Sequence, residues 1–126
     1  MEREQVQRWL DAYVEAWKTY DPERICDLFS EDVEYRHNPF SPPVLGRAAV
    51  ATDWLRERDE PGTYEAHYEP LLIDGDRVVA MGRSTYYTEP DGEVREEYAN
   101  IFVLRFDDAG RCREYLEWWM ARSRAG

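Results

Sequence analysis

The spacing of apolar residues changes near Thr63, and this change constrains the fold more than any other feature of the sequence. In the first half of the chain, apolar residues recur every three or four positions, which is the period of one helix face. From Thr63 onward the period falls to two, as in a strand. We therefore expect helices first and one antiparallel sheet after them, an α+β layout in which the sheet curls over the helices.

Two helices are predicted within the first 30 residues. The first covers Glu2 to Thr19, and its spacing makes Tyr13 and Trp17 point the same way. The second starts at Asp21, which is typical of an N-cap and is followed by proline at the first helical position. We expect it to bury three apolar residues, which are Ile25, Leu28 and Phe29.

A short strand and a rigid loop separate the second and third helices. Val33 to His37 can extend as a strand, and the three prolines in the loop Asn38 to Leu45 exclude a helix there. The third helix follows Gly46 and is closed by Pro61 and Gly62. Its apolar positions are Val50, Ala51, Trp54 and Leu55.

Four strands are predicted after Thr63, separated by short turns that each contain glycine. Turns of this kind connect antiparallel neighbours, so the strands should form a meander. The predicted strands are Tyr64 to Ile73, Arg77 to Thr88, Glu93 to Phe106 and Arg111 to Ala121.

Charge and composition exclude several classes of partner. Sixteen basic and twenty-seven acidic residues give a net charge of -11, which opposes binding to nucleic acid or to anionic lipid. No apolar run approaches the ~18 residues of a membrane span, and the N-terminus has no signal-peptide core. We expect a single cytoplasmic domain over residues 1–126 with no nucleic-acid or membrane partner.

Cysteine and histidine are too few and too scattered to predict a metal or redox site. Cys26 and Cys112 form no CxxC pattern and are expected to be buried free thiols. His37 and His67 have no neighbours at ligand spacing. We therefore expect neither a metal nor an organic cofactor.

Glu117 is out of place in the last predicted strand. It lies between Leu116 and Trp118 in a run that should be largely buried, and a buried carboxylate needs a partner. Strand alternation groups Glu117 with Tyr115 and Trp119 on one face. On the neighbouring strands we take two further sets to face the same way, Arg83, Thr85 and Tyr87, and Tyr98, Asn100, Phe102 and Leu104.

Four segments of the chain carry a resemblance to a known family, and these are YVEAWKTYDP (13–22), DLFSEDV (27–33), LGRAAV (45–50) and RFDDAGRCREYLEW (105–118). Together with the order of elements, they resemble the NTF2-like superfamily and within it the SnoaL-like, ketosteroid-isomerase and limonene-epoxide-hydrolase branch. The resemblance covers nearly the whole chain and implies a cone-shaped, strongly curved mixed or antiparallel sheet wrapped over N-terminal helices. It also implies an internal pocket for a small molecule and often a homodimer through the outer sheet face.

The steroid-isomerase branch implies one matching residue and two departures. Tyr13 falls where that branch has an oxyanion donor on the first helix. Its carboxylate base precedes a proline, where this chain has His37 and Asn38, and its protonated Asp corresponds to Phe102. Steroid-isomerase chemistry by that mechanism is therefore not expected.

The epoxide-hydrolase branch matches more closely. In that comparison Glu117 corresponds to an Asp of the last strand and Arg83 to an Arg, while Thr85 replaces the second Asp. Tyr35 corresponds to the Tyr that helps to hold the attacking water, and either Asn38 or His37 to the Asn.

Three hypotheses about function remain open at this stage. In the first, the chain is a cofactor-independent hydrolase or isomerase with Glu117 as base, Arg83 as its partner and His37 as a second candidate base. In the second, the same cavity shelters an apolar ligand without catalysis, and in the third the pocket is filled and the dimer is what matters. The predicted binding residues are Tyr13, Trp17, Tyr35, Asn38, Trp54, Thr85, Tyr98, Asn100, Phe102, Tyr115 and Trp119.

Overall fold

The computed structural model describes residues 1–122, in which three helices precede most of a six-stranded sheet. The helices are α1 (Arg3–Thr19), α2 (Pro22–Asp27) and α3 (Arg47–Arg56). The strands are β1 (Phe29–Arg36), β2 (Val44–Leu45), β3 (Tyr64–Asp74), β4 (Arg77–Tyr87), β5 (Val94–Phe106) and β6 (Cys112–Ala121).

Helix α1 forms where the apolar period predicts it. A capping box between Glu2 and Gln5 starts the helix, and Tyr20 in the left-handed conformation (φ 52°) ends it. Two side chains of α1 also donate hydrogen bonds to carbonyls of β3, Arg3 to Pro70 at 3.0 Å and Gln7 to Tyr68 at 2.8 Å. Its buried face consists of Val6, Trp9, Leu10, Tyr13 and Ala16.

The sheet has the order β2-β1-β6-β5-β4-β3. The last four strands form the predicted antiparallel meander, and β1 adds to it in parallel with β6. Register shifts interrupt the β1–β6, β3–β4 and β5–β6 ladders, and irregularities of this kind bend strands. The core fills the space between the helices and the inner face of the sheet, where Phe29, Phe102, Leu104, Phe106 and Tyr115 are at most 1% exposed.

Phe29 belongs to β1 and not to the second helix, where the sequence analysis placed it. The backbone pairs Phe29 with Cys112 of β6, and the carbonyl of Leu28 accepts hydrogen bonds from the Cys112 amide and the Trp9 indole, each at 2.9 Å. Helix α2 therefore ends at Asp27, two residues before the predicted apolar pattern ends, and the sheet ladder begins at Phe29. Cys112 also faces the core, because the register shift in the β5–β6 ladder reverses its side relative to Tyr115. Cys26 and Cys112 are free thiols, as predicted, with Cys112 buried and Cys26 partly buried.

Gly82 on β4 leaves room for the backbone and the Tyr68 side chain of the neighbouring strand β3. A Cβ at this position would lie 2.0 Å from the carbonyl oxygen of His67 and 2.7 Å from the ring of Tyr68. The missing side chain lets the Tyr68 ring pass over the strand, so that its hydroxyl reaches Ser84 at 2.6 Å.

Candidate functional site

A cavity of about 680 Å³ opens between α1, α3 and the inner face of the sheet. This volume lies in the range of sites that bind small molecules. Ten of the predicted site residues line the cavity: Tyr13, Trp17, Tyr35, His37, Asn38, Trp54, Tyr98, Asn100, Glu117 and Trp119.

Glu117 is held on the cavity wall by two neutral donors. Its Oε2 accepts a hydrogen bond from the Asn100 amide at 2.7 Å, and its Oε1 accepts one from the Tyr115 hydroxyl at 2.9 Å. In residues 1–122 no ion pair involves Glu117. A carboxylate has about four lone-pair positions, so two of them stay free for a molecule in the cavity.

Two chains of hydrogen bonds converge on this carboxylate. Because Tyr115 gives its single proton to Glu117, the Tyr13 hydroxyl must donate to Tyr115 at 2.8 Å. On the other side, Ser84 donates to Asn100 Oδ1 at 2.7 Å, so Tyr68 must donate to Ser84 at 2.6 Å. These partners come from α1, β3, β4, β5 and β6, and they fix the carboxylate from both sides.

Burial raises the pKa of Glu117 above its ordinary value, while the hydrogen bonds from Tyr115 and Asn100 and the charge of His37 lower it. The net direction is upward because desolvation is the largest effect. Burial likewise raises the pKa of the Tyr13, Tyr35 and Tyr115 hydroxyls, and the Glu117 charge raises it further. These hydroxyls are therefore neutral donors at physiological pH.

Stacked aromatic rings hold the hydroxyls around Glu117 in place. The rings of Tyr35 and Tyr115 are nearly parallel (6°) with centroids 4.1 Å apart, and Tyr13 stacks on Tyr115 at 5.9 Å. The Trp54 indole donates to the Tyr35 hydroxyl at 3.2 Å. Helix α3 thereby contributes to the same cluster as β1, β6 and α1.

His37 lies at the mouth of the cavity and is oriented by a carboxylate of α3. Its Nε2 lies 2.6 Å from Asp53 Oδ2, and its ring meets that of Tyr35 edge-on with centroids 5.1 Å apart. Half of the His37 side chain is exposed, whereas Asp53 is 22% exposed. The second ring nitrogen is thus available to a proton acceptor or donor near the mouth.

A family model described as a SnoaL-like domain matches residues 10–115 of this chain. The chain belongs to the SnoaL-like family. Within the solved structures, that of an M. tuberculosis LEH-like epoxide hydrolase is similar, with a TM-score of 0.68 and 19% sequence identity over 95% of this chain and 86% of that one. A search of curated proteins gave no match. The predicted relationship to the NTF2-like superfamily and the predicted cone-like α+β fold are confirmed.

Arg83 and Thr85 are not where the sequence analysis expected them in this SnoaL-like chain. The ladders pair Gly82 with Asn100 and Ser84 with Tyr98, so the even-numbered residues of β4 face the cavity. Arg83 is exposed on the opposite face, and neither it nor Thr85 lines the cavity. The predicted contact between Arg83 and Glu117 is therefore wrong, and Tyr87 also belongs to the outer set.

Phe102 and Tyr115 lie behind the cavity wall. Each is 1% exposed and packs in the core, although Tyr115 still acts on the site through its hydrogen bond to Glu117. They therefore support the wall and do not form it.

Ten residues that line the cavity were not predicted from the sequence. Ser84 and Tyr86 were missed because the face of β4 was misassigned, and no face was assigned to β3, which carries Tyr68. Asp59 lies between α3 and β3, where no site residue was predicted. Asp53 directly precedes Trp54, which was predicted to line the site, and this adjacency could have indicated Asp53 as a site residue. The ten residues are Tyr20, Asp53, Arg56, Glu57, Asp59, Tyr68, Ser84, Tyr86, Arg95 and Glu96.

Residues 1–122 lack two features, a cluster of metal ligands and a membrane-spanning helix. No cluster of three or more His, Cys, Asp or Glu side chains in this range is arranged to hold a metal ion. None of its helices is long and apolar enough to cross a membrane.

Proposed function

We propose that this SnoaL-like protein is a cofactor-independent hydrolase or isomerase in which Glu117 exchanges a proton with a small, largely apolar substrate. The arrangement of Glu117 is the observation that carries the proposal. The carboxylate is positioned by two neutral donors, keeps free lone pairs and faces a cavity of about 680 Å³. Burial raises its pKa above the ordinary value of a glutamate, which makes the carboxylate a stronger general base.

The hydroxyl chain supports a coupled role for Tyr13. When Glu117 takes up a proton on Oε1, it can donate to Tyr115, and Tyr115 can turn to donate to Tyr13. The Tyr13 hydroxyl then directs its own proton into the cavity, toward an oxygen that becomes negative during the reaction. Proton uptake by the base thereby creates a hydrogen-bond donor for the developing oxyanion.

His37 provides a second group for proton transfer. Asp53 fixes the orientation of the imidazole, and the ring lies against Tyr35 at the cavity mouth. In a hydrolysis, Glu117 would activate a water while His37 protonates the leaving oxygen. In an isomerisation, the two groups would act on opposite ends of the substrate.

A non-catalytic binding protein is the second candidate. The resemblance to epoxide hydrolases implied a carboxylate, an arginine and a second carboxylate, and in the described part of the chain Arg83 lies on the other face of the sheet from Glu117. This favours binding without turnover. The third hypothesis required a filled cavity, and a void of about 680 Å³ contradicts it.

Turnover of a panel of apolar epoxides, esters and β,γ-unsaturated ketones tests the enzyme hypothesis. For any substrate found, Glu117→Gln should lower kcat by at least ~100-fold, the usual contribution of a general base. Glu114→Gln is the matched control, since Glu114 lies on the same strand but does not line this cavity. A Glu117→Gln variant with unchanged kcat and pH profile would contradict the proposal. Ligands that bind without any turnover would favour the second candidate.

We also propose that residues 1–126 act as a single domain that pairs with a second copy through the outer face of the sheet. Apolar side chains from β4, β5 and β6 lie in adjacent rows on this face, Met81–Ile101–Trp118 and Val79–Val103–Leu116. A monomer rarely exposes a continuous apolar patch of this kind. We call these six residues, together with Ala99 and Met120, the outer patch.

A further inference from the structure

The cavity wall carries an excess of negative charge. Five carboxylate residues and two arginines line it, in addition to His37. Each arginine is exposed, whereas Glu117 is partly buried and hydrogen-bonded to Asn100 of the cavity wall. The charged lining residues are Asp53, Arg56, Glu57, Asp59, Arg95, Glu96 and Glu117.

Two of these carboxylates have only neutral hydrogen-bond donors. Glu117 accepts from Asn100 and Tyr115, and Asp59 Oδ2 accepts from the Trp17 indole at 3.0 Å and from the Tyr20 hydroxyl at 3.4 Å. In residues 1–122 neither carboxylate takes part in an ion pair. Hydrogen bonds from neutral donors stabilise a carboxylate but leave its charge in place, so both contribute a negative potential to the cavity.

That potential extends across the cavity. The charges of both Asp59 and Glu117 raise the pKa of the Tyr86 hydroxyl, after desolvation as the largest cause. Tyr86 therefore lies within reach of both fields. A positively charged group beside Tyr86 would be favoured by each of them.

The wall between the two carboxylates consists of aromatic rings. Tyr86 and Tyr98 meet at 88° with centroids 5.7 Å apart, and Tyr98 and Trp119 meet at 89° with centroids 5.6 Å apart. Trp17 continues the row, 5.9 Å from Tyr86. We call Trp17, Tyr86, Tyr98 and Trp119 the aromatic row. The face of an aromatic ring is the negative end of its quadrupole and attracts cations, including quaternary ammonium groups.

The protein already places one of its own cations on this row. The guanidinium carbon of Arg95 lies 5.5 Å from the ring centroid of Tyr86. Arg95 is exposed and its partner is the neighbouring Glu96 at 3.5 Å, so the row already attracts a cation at a solvent-exposed position.

We propose that the cavity selects molecules that combine an apolar body with one positively charged nitrogen, an alkylated amine or ammonium, over neutral molecules of the same shape. The nitrogen lies against the aromatic row and toward Glu117, and the apolar body fills the remaining aromatic cavity. The inference rests on the proposed small-molecule function and names its substrate class.

A matched pair of probes tests this selection without any turnover. Meta-hydroxyphenyltrimethylammonium and meta-tert-butylphenol share one shape and differ in a charged nitrogen against a neutral carbon. Their dissociation constants can be measured by NMR titration of the protein, with the indole N–H signals of Trp17, Trp54 and Trp119 as reporters of the cavity. The cation should bind at least ~10-fold more tightly, which corresponds to about 1.4 kcal/mol.

Variants identify the group responsible for the preference. Glu117→Gln keeps the size of the side chain, and it should weaken binding of the cation ~10-fold while leaving the neutral probe unchanged. Glu114→Gln, with the same change in net charge outside this cavity, should leave both constants unchanged. Equal binding of the two probes by the natural protein, tighter binding of the neutral one, or no binding of either would overturn the inference.

These outcomes are separable from a failure of the proposed enzyme function. A protein that prefers the neutral probe can still use Glu117 as a base, which the kcat of Glu117→Gln reports. A protein that prefers the cation but shows no turnover would be a binding protein for the same class of ligand.

Discussion

The surroundings of Glu117 favour the protonated form of its carboxyl group more than water does. Its pKa lies above the ordinary value of 4.5 because burial disfavours the charged carboxylate more than Tyr115 and Asn100 favour it. The folded protein therefore binds this proton more tightly than the unfolded chain does. The free energy of unfolding must then fall as the pH rises from the unfolded pKa to the folded one.

Glu117→Gln should therefore stabilise the protein at neutral and higher pH. The amide can still accept from Asn100, and it can donate to Tyr115, which then donates to Tyr13. Thermal unfolding measured from pH 4 to pH 8 should give a higher Tm for the variant above the folded pKa of Glu117. The difference should shrink as the pH falls, because the natural carboxyl becomes neutral too. A lower Tm for the variant at every pH would show that the charge stabilises the fold.

On the scale of helices and loops, the segment between α3 and β3 is fastened to the end of α1. The Tyr20 hydroxyl accepts a hydrogen bond from the Asp59 amide at 2.8 Å and donates one to the Asp59 carboxylate at 3.4 Å. Asp59 lines the cavity, so this attachment also fixes part of the wall. Tyr20 itself has positive φ and ends α1, which places its ring beside the segment.

Tyr20→Phe should loosen this segment and spare the rest of the fold. Loss of the hydroxyl removes the acceptor of the Asp59 amide, and a hydrogen bond contributes about 1 kcal/mol. The Asp59 amide should therefore exchange with solvent deuterium roughly 5-fold faster, while amides in the centre of β5 keep their rates. Tyr64→Phe is a suitable control, since its hydroxyl donates to the Trp17 carbonyl at 2.7 Å and not to the segment. Equal acceleration in both variants would contradict the assignment.

The boundaries of the strands could be predicted from the sequence, whereas the direction in which the side chains of β4 face could not. The strands β3 to β6 were predicted to within one residue because short turns containing glycine separate them. The face of β4 was not predictable in the same way, because apolar residues occupy both parities, Val78 and Ala80 inward and Val79 and Met81 outward. Assigning the odd-numbered residues of β4 to the inner face, in place of the even-numbered ones, puts Arg83 at the site where Ser84 lies.

The residues of the candidate site also fall into those that could be predicted from the sequence and those that could not. Glu117, Tyr35 and Asn100 were predicted because each faces inward at a clear point of its strand or was matched by the resemblance. Asp53 and Asp59 were not, since α3 and the segment after it reach the cavity only through tertiary packing. Their contacts with His37 and Trp17 join residues far apart in the chain.

At the scale of the whole molecule, the sheet has apolar side chains on both faces. The inner face is covered by the helices and forms the core and the cavity. The outer patch is not covered within the described chain, where Trp118 is 48% exposed, Ile101 43% and Met81 41%. Burying such a surface against a second copy would remove it from water at roughly 25 cal/mol per Å², and a two-fold axis would bring the same patch from both copies together.

Trp118→Glu should therefore convert the proposed dimer into a monomer. Trp118 lies at the end of the central row of the outer patch, beside Ile101, and a carboxylate there would meet the apolar patch of the second copy. Light scattering after size exclusion should give twice the chain mass of 15.0 kDa for the natural protein and a single mass for the variant. Phe40→Glu is the matched control, because Phe40 is 97% exposed on the loop before β2, away from the patch, and should leave the dimer intact. A natural protein that elutes as a monomer at micromolar concentration would rule out this mode of assembly, since its outer patch would then remain open to solvent.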